Sequence, residues 1–311
     1  MTKQTIGLLT LLFFSNLTPL KAAELPFAIS PEAIADAASK TPVKVETLAP
    51  GFYVLKGQGG NIAVSIGRNG TLIVDDQYPE MVPKIQAAIR QLGGEGIDFA
   101  INTHWHFDHA DGNQVLGPEG TWLVAQAHSR AMMQGDHRVN MVNAYYDQKA
   151  YADEALPVIT FNHAMQFHFN DQTIDLIHVG SAHTTGDAAV YFREHNAVHM
   201  GDVYNQATYP FIDVDNGGSL EGVINFCQQV LARLDKDSLV IPGHGEVVDY
   251  QTFQAYLAML NTLKGRLLAL IDDGATLEQV MAARISREWD QEKGDPAMFI
   301  NRAYTSLRAR D

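Results

Sequence analysis

One segment decides the fold of this chain: residues 103–112, THWHFDHADG. It follows directly on residues 97–102, an apolar run that is typical of a β-strand. His104 and His106 are two positions apart, and an extended backbone at the end of a strand points both imidazoles to the same side. The segment therefore begins with two potential metal ligands in a favourable arrangement.

The next two potential ligands lie where the chain must turn. Asp108 and His109 follow the first two histidines, and Gly112 permits the conformation that a turn requires. One short segment can thus supply two ligands to each of two metal ions. Zinc binds imidazole and carboxylate ligands readily, so the donor types favour a zinc site.

Three later strand-like runs also end in a potential ligand beside a glycine. These ligands are His183, Asp202 and His244, which follow residues 173–179, 197–200 and 239–241. A loop that begins at a strand end can hold a side chain in a fixed position, and the glycine lets the backbone approach a metal closely. The sequence therefore predicts that these three residues join the histidine segment.

Taken in order, these residues resemble the metallo-β-lactamase fold superfamily, whose signature is an HxHxDH segment followed by separate His, Asp and His ligands. The resemblance covers roughly residues 45–250 and implies an α/β fold, a four-layer αββα sandwich with C-terminal helices. It implies two zinc ions per chain, held by His104, His106 and His183 and by Asp108, His109 and His244, with Asp202 between them. It also implies that Asp75 braces the histidine loop.

The implied chemistry is hydrolysis. Two zinc ions about 3.5–4 Å apart lower the pKa of a shared water toward about 7, which creates a nucleophile at neutral pH. We expect attack on an ester, lactone, thioester or amide carbonyl, with β-lactams as an open case. Asp108 is expected to orient the nucleophile and move a proton. Tyr204 is placed much like a tyrosine of the similar lactonases and is expected to reach an oxyanion.

β-Lactam turnover and an iron-dependent reaction both stay open at this stage, although one β-lactamase subclass is disfavoured. A β-lactamase with a cysteine ligand has Cys where Asp202 stands, followed by a lysine that pairs with the drug carboxylate; here neither Lys nor Arg occurs between Asp202 and Arg233. A mononuclear iron persulfide dioxygenase shares the fold and, by resemblance, would use only His104, His183 and Asp202. Two zinc ions per chain indicate the hydrolase and one iron indicates the dioxygenase. Manganese or iron in place of zinc also stays open.

Composition restricts the partners. The chain has 311 residues, enough for one large domain or two small ones, and 46% hydrophobic residues are typical of a globular core. A net charge of −14 argues against nucleic acid and anionic membranes as partners. We expect a small-molecule substrate, and the oligomeric state stays open.

The N-terminus has the pattern of an export signal. Lys3 supplies a short basic region, residues 6–14 an apolar core, and Ala22 and Ala23 a cleavage site. We therefore expect residues 1–23 to be a signal peptide, with the mature chain periplasmic or secreted and not stably attached to a membrane. Cys227 is the only cysteine, which excludes an intramolecular disulfide.

The remaining chain divides by pattern. We expect an irregular N-terminal arm over residues 24–44, the hydrolase domain over residues 45–250, and a C-terminal helical extension over residues 251–311 that packs on the same domain. The Asn-Gly pair at 69–70 predicts a hairpin. Residues 126–157 are either helices packed on the core or a lid over the site.

Overall fold

A computed structural model describes residues 25–309. The strands are β1 Phe27–Ala28, β2 Lys44–Ala49, β3 Phe52–Lys56, β4 Ile62–Gly67, β5 Gly70–Val74, β6 Phe99–Asn102, β7 Trp122–Gln126, β8 His137–Asn140, β9 Ala144–Gln148, β10 Ile159–Phe161, β11 Ala164–Phe169, β12 Gln172–Ile177, β13 Ala189–Phe192, β14 Ala197–His199, β15 Leu239–Ile241 and β16 Val248–Asp249. The helices are α1 Pro31–Lys40, α2 Val82–Gln91, α3 Phe107–Ala110, α4 Asn113–Leu116, α5 Ala127–Met133, α6 Leu220–Leu231, α7 Tyr250–Asp272, α8 Leu277–Ala282, α9 Asp290–Lys293 and α10 Ala297–Arg308.

Two large sheets form the centre of the molecule. The first has seven strands in the order β10-β7-β6-β5-β4-β3-β2, and the second has six in the order β11-β12-β13-β14-β15-β16. Hairpins join most neighbours: β4 and β5 pair across the predicted Asn-Gly turn, where Gly70 has a φ of 116°. The pairs β5–β6, β6–β7 and β14–β15 are parallel, which places several strand ends at one edge of the sandwich.

The central strands of the first sheet are buried on both faces, and their residues alternate between two cores. Along β4 and β5, Ala63, Leu72 and Val74 face the second sheet and pack with its Ile174 and Val190. The intervening side chains point the other way, toward α2. Burial on both faces explains why these strands read as nearly continuous apolar runs in the sequence.

Helices cover the outer face of each sheet. α2 packs on the first sheet through its buried apolar face, including Ile85 and Ile89. On the second sheet α6 and α7 pack together, and α10 joins them through Phe299 and Ala303. The order is therefore helix, sheet, sheet, helix, which confirms the predicted αββα sandwich with C-terminal helices.

The N-terminal segment is not the irregular arm that we expected, because it contains the helix α1. Ser30 caps the helix by accepting a hydrogen bond from the Ala33 backbone N–H at 3.1 Å, and Pro31 occupies the first turn, where its missing N–H costs nothing. At the other end, Lys84 of α2 donates to the carbonyl oxygens of Ala38 and Thr41 at 2.8 and 2.7 Å. These capping signals outweigh the prolines on which the prediction rested.

Residues 126–157 are only partly helical. α5 is followed by the hairpin β8–β9, and β9 pairs in parallel with β1 to make a third, three-stranded sheet. This hairpin packs beside the histidine segment: the Tyr146 and Phe107 ring centroids are 4.1 Å apart, and Gln148 donates to the Trp105 carbonyl at 2.8 Å. The segment therefore flanks the motif with a small sheet that the sequence did not predict.

The helices of the described chain can be compared with the length of a membrane span. Among residues 25–309, none of the helices has the length and apolarity that a bilayer crossing requires. The predicted signal peptide, residues 1–23, lies outside the described residues and stays a prediction.

Candidate metal centre

The backbone of the histidine segment positions its four donors as the spacing predicts. After β6 ends at Asn102, the chain bends at residues 103–104 and is extended again at His106, whose φ and ψ are −65° and 147°. The His104 and His106 rings therefore lie on one side, with centroids 4.9 Å apart. α3 then begins, and its first turn carries Asp108 and His109 back toward them.

The second sheet supplies the other three donors. His183 follows β12, Asp202 follows β14 and His244 follows β15. Two glycines, one in a loop of each sheet, are required for the close approach of the backbone to these donors. A Cβ at Gly243 would lie 1.9 Å from Asp202 Oδ1, and one at Gly60 would lie 2.2 Å from the His109 ring. The centre is thus assembled from both sheets at one edge of the sandwich.

The first donor group consists of three buried imidazoles, those of His104, His106 and His183. His106 Nδ1 and His183 Nε2 are 2.9 Å apart. His104 Nε2 is buried and has no hydrogen-bond partner among residues 25–309. Buried polar atoms almost always have a partner, so this nitrogen needs an explanation.

Neighbouring groups determine which nitrogen of each imidazole is free. His106 Nε2 lies 2.9 Å from Asp213 Oδ2, and His183 Nδ1 lies 2.8 Å from the Phe211 carbonyl oxygen. Each of these acceptors holds a proton on the nitrogen that it contacts, which leaves the other nitrogen with a lone pair. His106 Nδ1 and His183 Nε2 therefore present two lone pairs to each other. They repel unless a cation lies between them, which is the arrangement of a metal site.

The second donor group is mixed and more open. It consists of Asp108, His109 and His244. His244 Nε2 lies 3.2 Å from Asp108 Oδ2 and 3.2 Å from His109 Nε2. Asp202 lies between the two groups: its Oδ1 is 3.2 Å from His109 Nε2, and its Oδ2 is 3.8 Å from His183 Nε2. This position agrees with the bridging place that the resemblance implied.

Asp75 braces the segment, as expected. It is fully buried at the end of β5 and has a φ of 66°. Its carboxylate accepts hydrogen bonds from the Thr103 backbone N–H at 2.7 Å and from the Thr103 hydroxyl at 2.8 Å, and it lies 2.7 Å from His109 Nδ1. That contact leaves His109 Nε2 as the free nitrogen, facing the other donors.

Asp213 is a functional residue that the sequence did not reveal. Its carboxylate fixes the His106 ring, as described above, and accepts a second hydrogen bond from Asn216 at 2.8 Å. It belongs to a loop without any ligand-like spacing, so only the tertiary structure brings it to the centre.

Electrostatics separate the two groups. Burial lowers the pKa of His104 and of His183, and the neighbouring imidazoles lower it further, so both rings are neutral, the form that binds metals. Burial alone would raise the pKa of Asp108, but the charges of His109 and His244 outweigh it and lower that pKa to about 2. A metal ion bound by the second group takes the place of the protons that these carboxylates otherwise hold on the two imidazoles.

Tyr204 does not reach the centre. Its fully buried ring packs against Phe253 and Tyr256 of α7, with centroids 5.1 and 4.6 Å away. Its hydroxyl is buried as well and makes no hydrogen bond within residues 25–309. The expectation that this hydroxyl contacts a substrate oxyanion therefore does not hold, because the chain turns between Asp202 and the tyrosine.

The structure thus brings together all seven predicted ligands and leaves out the predicted tyrosine. His199 is structural: its Nε2 lies 2.9 Å from the Asn61 carbonyl oxygen, and its Nδ1 accepts from the Gly201 N–H at 3.1 Å. It therefore holds the turn that carries Asp202. Imidazole and carboxylate donors with free lone pairs, gathered within 4.8 Å of one another in each group, fit divalent metal ions.

The fold and this cluster of possible metal ligands are found in a known superfamily. The sequence pattern of the metallo-beta-lactamase superfamily matches residues 59–244, more than half of the chain, and the chain belongs to that superfamily.

Solved structures show the same fold. The DIM-1 metallo-beta-lactamase is 17% identical, with a TM-score of 0.58 over 72% of this chain and 100% of that one. A metallo-beta-lactamase from Pontibacter korlensis is 16% identical, with a TM-score of 0.58 over 70% of this chain and 99% of that one. At such identities the likeness concerns the fold.

Proposed function

We propose that this chain is a zinc-dependent hydrolase that cleaves an ester, lactone, thioester or amide bond. The observation that carries the proposal is the convergence of free imidazole nitrogens in a buried group, beside a second, open group that contains the Asp108 carboxylate, with the Asp202 carboxylate between the two. His104, His106 and His183 would hold one ion, and Asp108, His109 and His244 the other, with Asp202 between them.

The division of work follows from the two groups. Bound zinc supplies Lewis acidity and a nucleophile from water at neutral pH. Asp108 has a carboxylate side chain that is 20% exposed and lies beside His244. It can therefore accept a proton from a reacting group that enters the open side. Asp75 and Asp213 orient the imidazoles of His109 and His106 and take no part in proton transfer.

The charges around the centre favour an uncharged substrate. On the side of His244, Lys56 of β3 is paired with Glu46 at 2.9 Å and with Glu246, two residues after His244. A substrate carboxylate would have to compete with both glutamates for this ammonium group. The lysine therefore offers little to an anionic substrate.

The opposite side shows the same pairing. Arg138, whose carbonyl accepts a hydrogen bond from Asn216, is bound to Asp147 at 2.7 Å, and Arg302 is bound to Asp215 at 2.9 Å. Because these cations are paired with carboxylates of the protein, a neutral ester or lactone suits the site better than an anionic substrate does. Substrates with a carboxylate next to the reacting carbonyl, such as cephalosporins, are less well matched.

The test is hydrolysis by the zinc-loaded chain of three substrates: p-nitrophenyl acetate, a γ-lactone and a chromogenic cephalosporin. We expect chelator-sensitive turnover of a neutral substrate with kcat/KM of about 10⁴ M⁻¹s⁻¹ or more. The cephalosporin should be at least roughly tenfold slower, since a charged hydrogen bond is worth about 1.5–3 kcal/mol.

Three other results would change the conclusion. Turnover that survives the chelator would contradict a metal-dependent reaction. A cephalosporin rate equal to that of the neutral substrates would remove the charge preference and leave the hydrolase in place. Absence of hydrolysis, with one iron per chain and oxygen uptake on a persulfide, would replace the hydrolase by the dioxygenase.

A further inference from the structure

Tyr204, which follows the segment that carries Asp202, lines a cavity apart from the donor groups. The volume of the cavity is about 330 Å³, in the range of small-molecule sites. The N-terminal half of α7 forms one wall and the turn of α9 forms the other. Its lining includes Tyr204, Tyr256, Met259, Trp289 and Lys293.

The Tyr204 hydroxyl at this cavity lacks a partner. The side chain is fully buried, and its oxygen has no hydrogen bond within the described part of the chain. A phenol hydroxyl carries its proton at neutral pH and can donate a hydrogen bond. Since buried hydroxyls are almost always satisfied, the missing partner points to an acceptor that the chain does not supply.

The other walls indicate what kind of molecule fits. Tyr256, Met259 and Trp289 give an aromatic and apolar lining, against which a flat ring can pack. The charged groups are Asp249, Glu292 and Lys293, and Lys293 already contacts Glu292 at 3.0 Å. The lining therefore has an excess of negative charge, which disfavours an anion.

We propose that this cavity is a binding site for a small, uncharged aromatic molecule whose carbonyl or other acceptor takes the hydrogen bond of Tyr204. The proposal is independent of the reaction at the metal centre.

The same walls hold the segment that carries the metal ligands. Lys293 donates to the Gln206 carbonyl at 2.9 Å, and the Gln206 backbone N–H donates to the His244 carbonyl at 2.9 Å. The Tyr204 carbonyl accepts from the Gly243 N–H at 3.0 Å. These hydrogen bonds connect the walls of the cavity to the segment that carries the metal ligands, so we expect a molecule bound in the cavity to change the metal affinity of the centre.

Acetophenone and ethylbenzene test the site, since they have nearly the same shape and differ in the carbonyl. Binding to the zinc-loaded chain is measured by ligand-observed NMR. We expect acetophenone to bind roughly tenfold more tightly, as one hydrogen bond allows. Tyr204→Phe should bring the two affinities together without lowering that of ethylbenzene. Equal affinities in the unmodified chain, or a preference that survives in Tyr204→Phe, would overturn the proposal.

Two variants that leave Tyr204 unchanged test whether the probes bind in this cavity. Ala255 lies on the exposed side of α7 and lines the cavity, whereas Ala258 is exposed on the same helix and does not line it. Ala255→Phe should fill the cavity and abolish binding of both probes, and Ala258→Phe should leave it unchanged. Undiminished binding in Ala255→Phe would place the probes elsewhere and overturn the proposal.

The coupling has its own measurement. Zinc affinity is determined by competition with a chromophoric chelator, with and without saturating acetophenone, and we expect a shift of about fivefold. The shift should be absent in Ala255→Phe. An identical zinc affinity with and without bound acetophenone would refute the coupling.

Discussion

The two donor groups differ in how far the protein encloses them. The His106 and His183 side chains are 3% and 0% exposed, and each is fixed by a second contact to Asp213 or to the Phe211 carbonyl. In the other group Asp108 and His244 are 20% and 27% exposed. On our proposal, the enclosed group holds an ion rigidly, and the open group leaves room for a substrate.

The composition of the groups follows the same division. The buried group has neutral imidazoles only, so it needs no charge compensation before a metal arrives. The open group, together with Asp202, contains the carboxylates that hold protons on His109 and His244 and raise the pKa of His244 to about 10. We therefore expect the buried imidazoles to bind a metal ion tightly and the carboxylates of the open group to transfer protons.

The largest effect is expected for His104→Ala in the buried group. Loss of one of three imidazoles should lower the metal content by about half or more and hydrolysis by about a thousandfold. Metal analysis by mass spectrometry and a rate assay check this. His168→Ala, at an exposed position, is the control. Retention of both ions would contradict the ligand assignment.

Asp108→Asn should separate binding from catalysis in the open group. The amide keeps the size of the side chain but cannot accept a proton, so turnover should fall about a hundredfold or more while most metal is retained. Asp136→Asn, which alters an exposed carboxylate paired with Lys149, should leave the rate unchanged. An Asp108→Asn enzyme with unmodified turnover would remove the role of this carboxylate.

Asp213→Asn tests whether the rigidity of the buried group comes from outside it. Without the carboxylate the His106 ring loses its fixed orientation, and metal affinity should fall about 10–100-fold. The matched control is Asp215→Asn, because Asp215 lies two positions away and binds Asn140 and Arg302 instead of a histidine. Equal affinities for the two variants would show that Asp213 does not position the ring.

The smallest effect concerns the order of metal loss. A chelator should remove the ion of the open group several-fold faster than that of the buried group, since Asp108 and His244 are accessible. Metal release followed with a chromophoric chelator should therefore show two phases, with the first alone abolishing most hydrolysis. A single phase that releases both ions would erase the distinction between the groups.

Much of the fold could be predicted from the sequence because the central strands are buried on both faces. Their apolar runs and the Asn-Gly hairpin stand out without any structure. The hairpin β8–β9 was missed because its strands are short, mostly half-buried and mixed in composition. The prediction of an irregular arm fails at α1 because proline does not always interrupt a helix. Pro31 lies in the first turn, where proline favours a helix.

The ligands could be predicted because their spacing reflects local backbone geometry, which a sequence records. The supporting contacts could not. Asp213 reaches His106 from a loop that is distant in sequence, and nothing in its neighbours marks it. Tyr204 failed for the opposite reason: its distance from Asp202 along the chain is short, but the turn at residues 201–203 directs its ring to the other side.

The potential metal ligands come from loops of both sheets, and this has a mechanical consequence. A metal ion held by the histidine segment of the first sheet and by His183, Asp202 or His244 of the second is a cross-link across the sandwich. Only the folded chain brings these donors together, so each ion that binds pulls the equilibrium away from the denatured state. The melting temperature should therefore rise with the logarithm of free metal concentration and report occupancy even when the substrate is unknown.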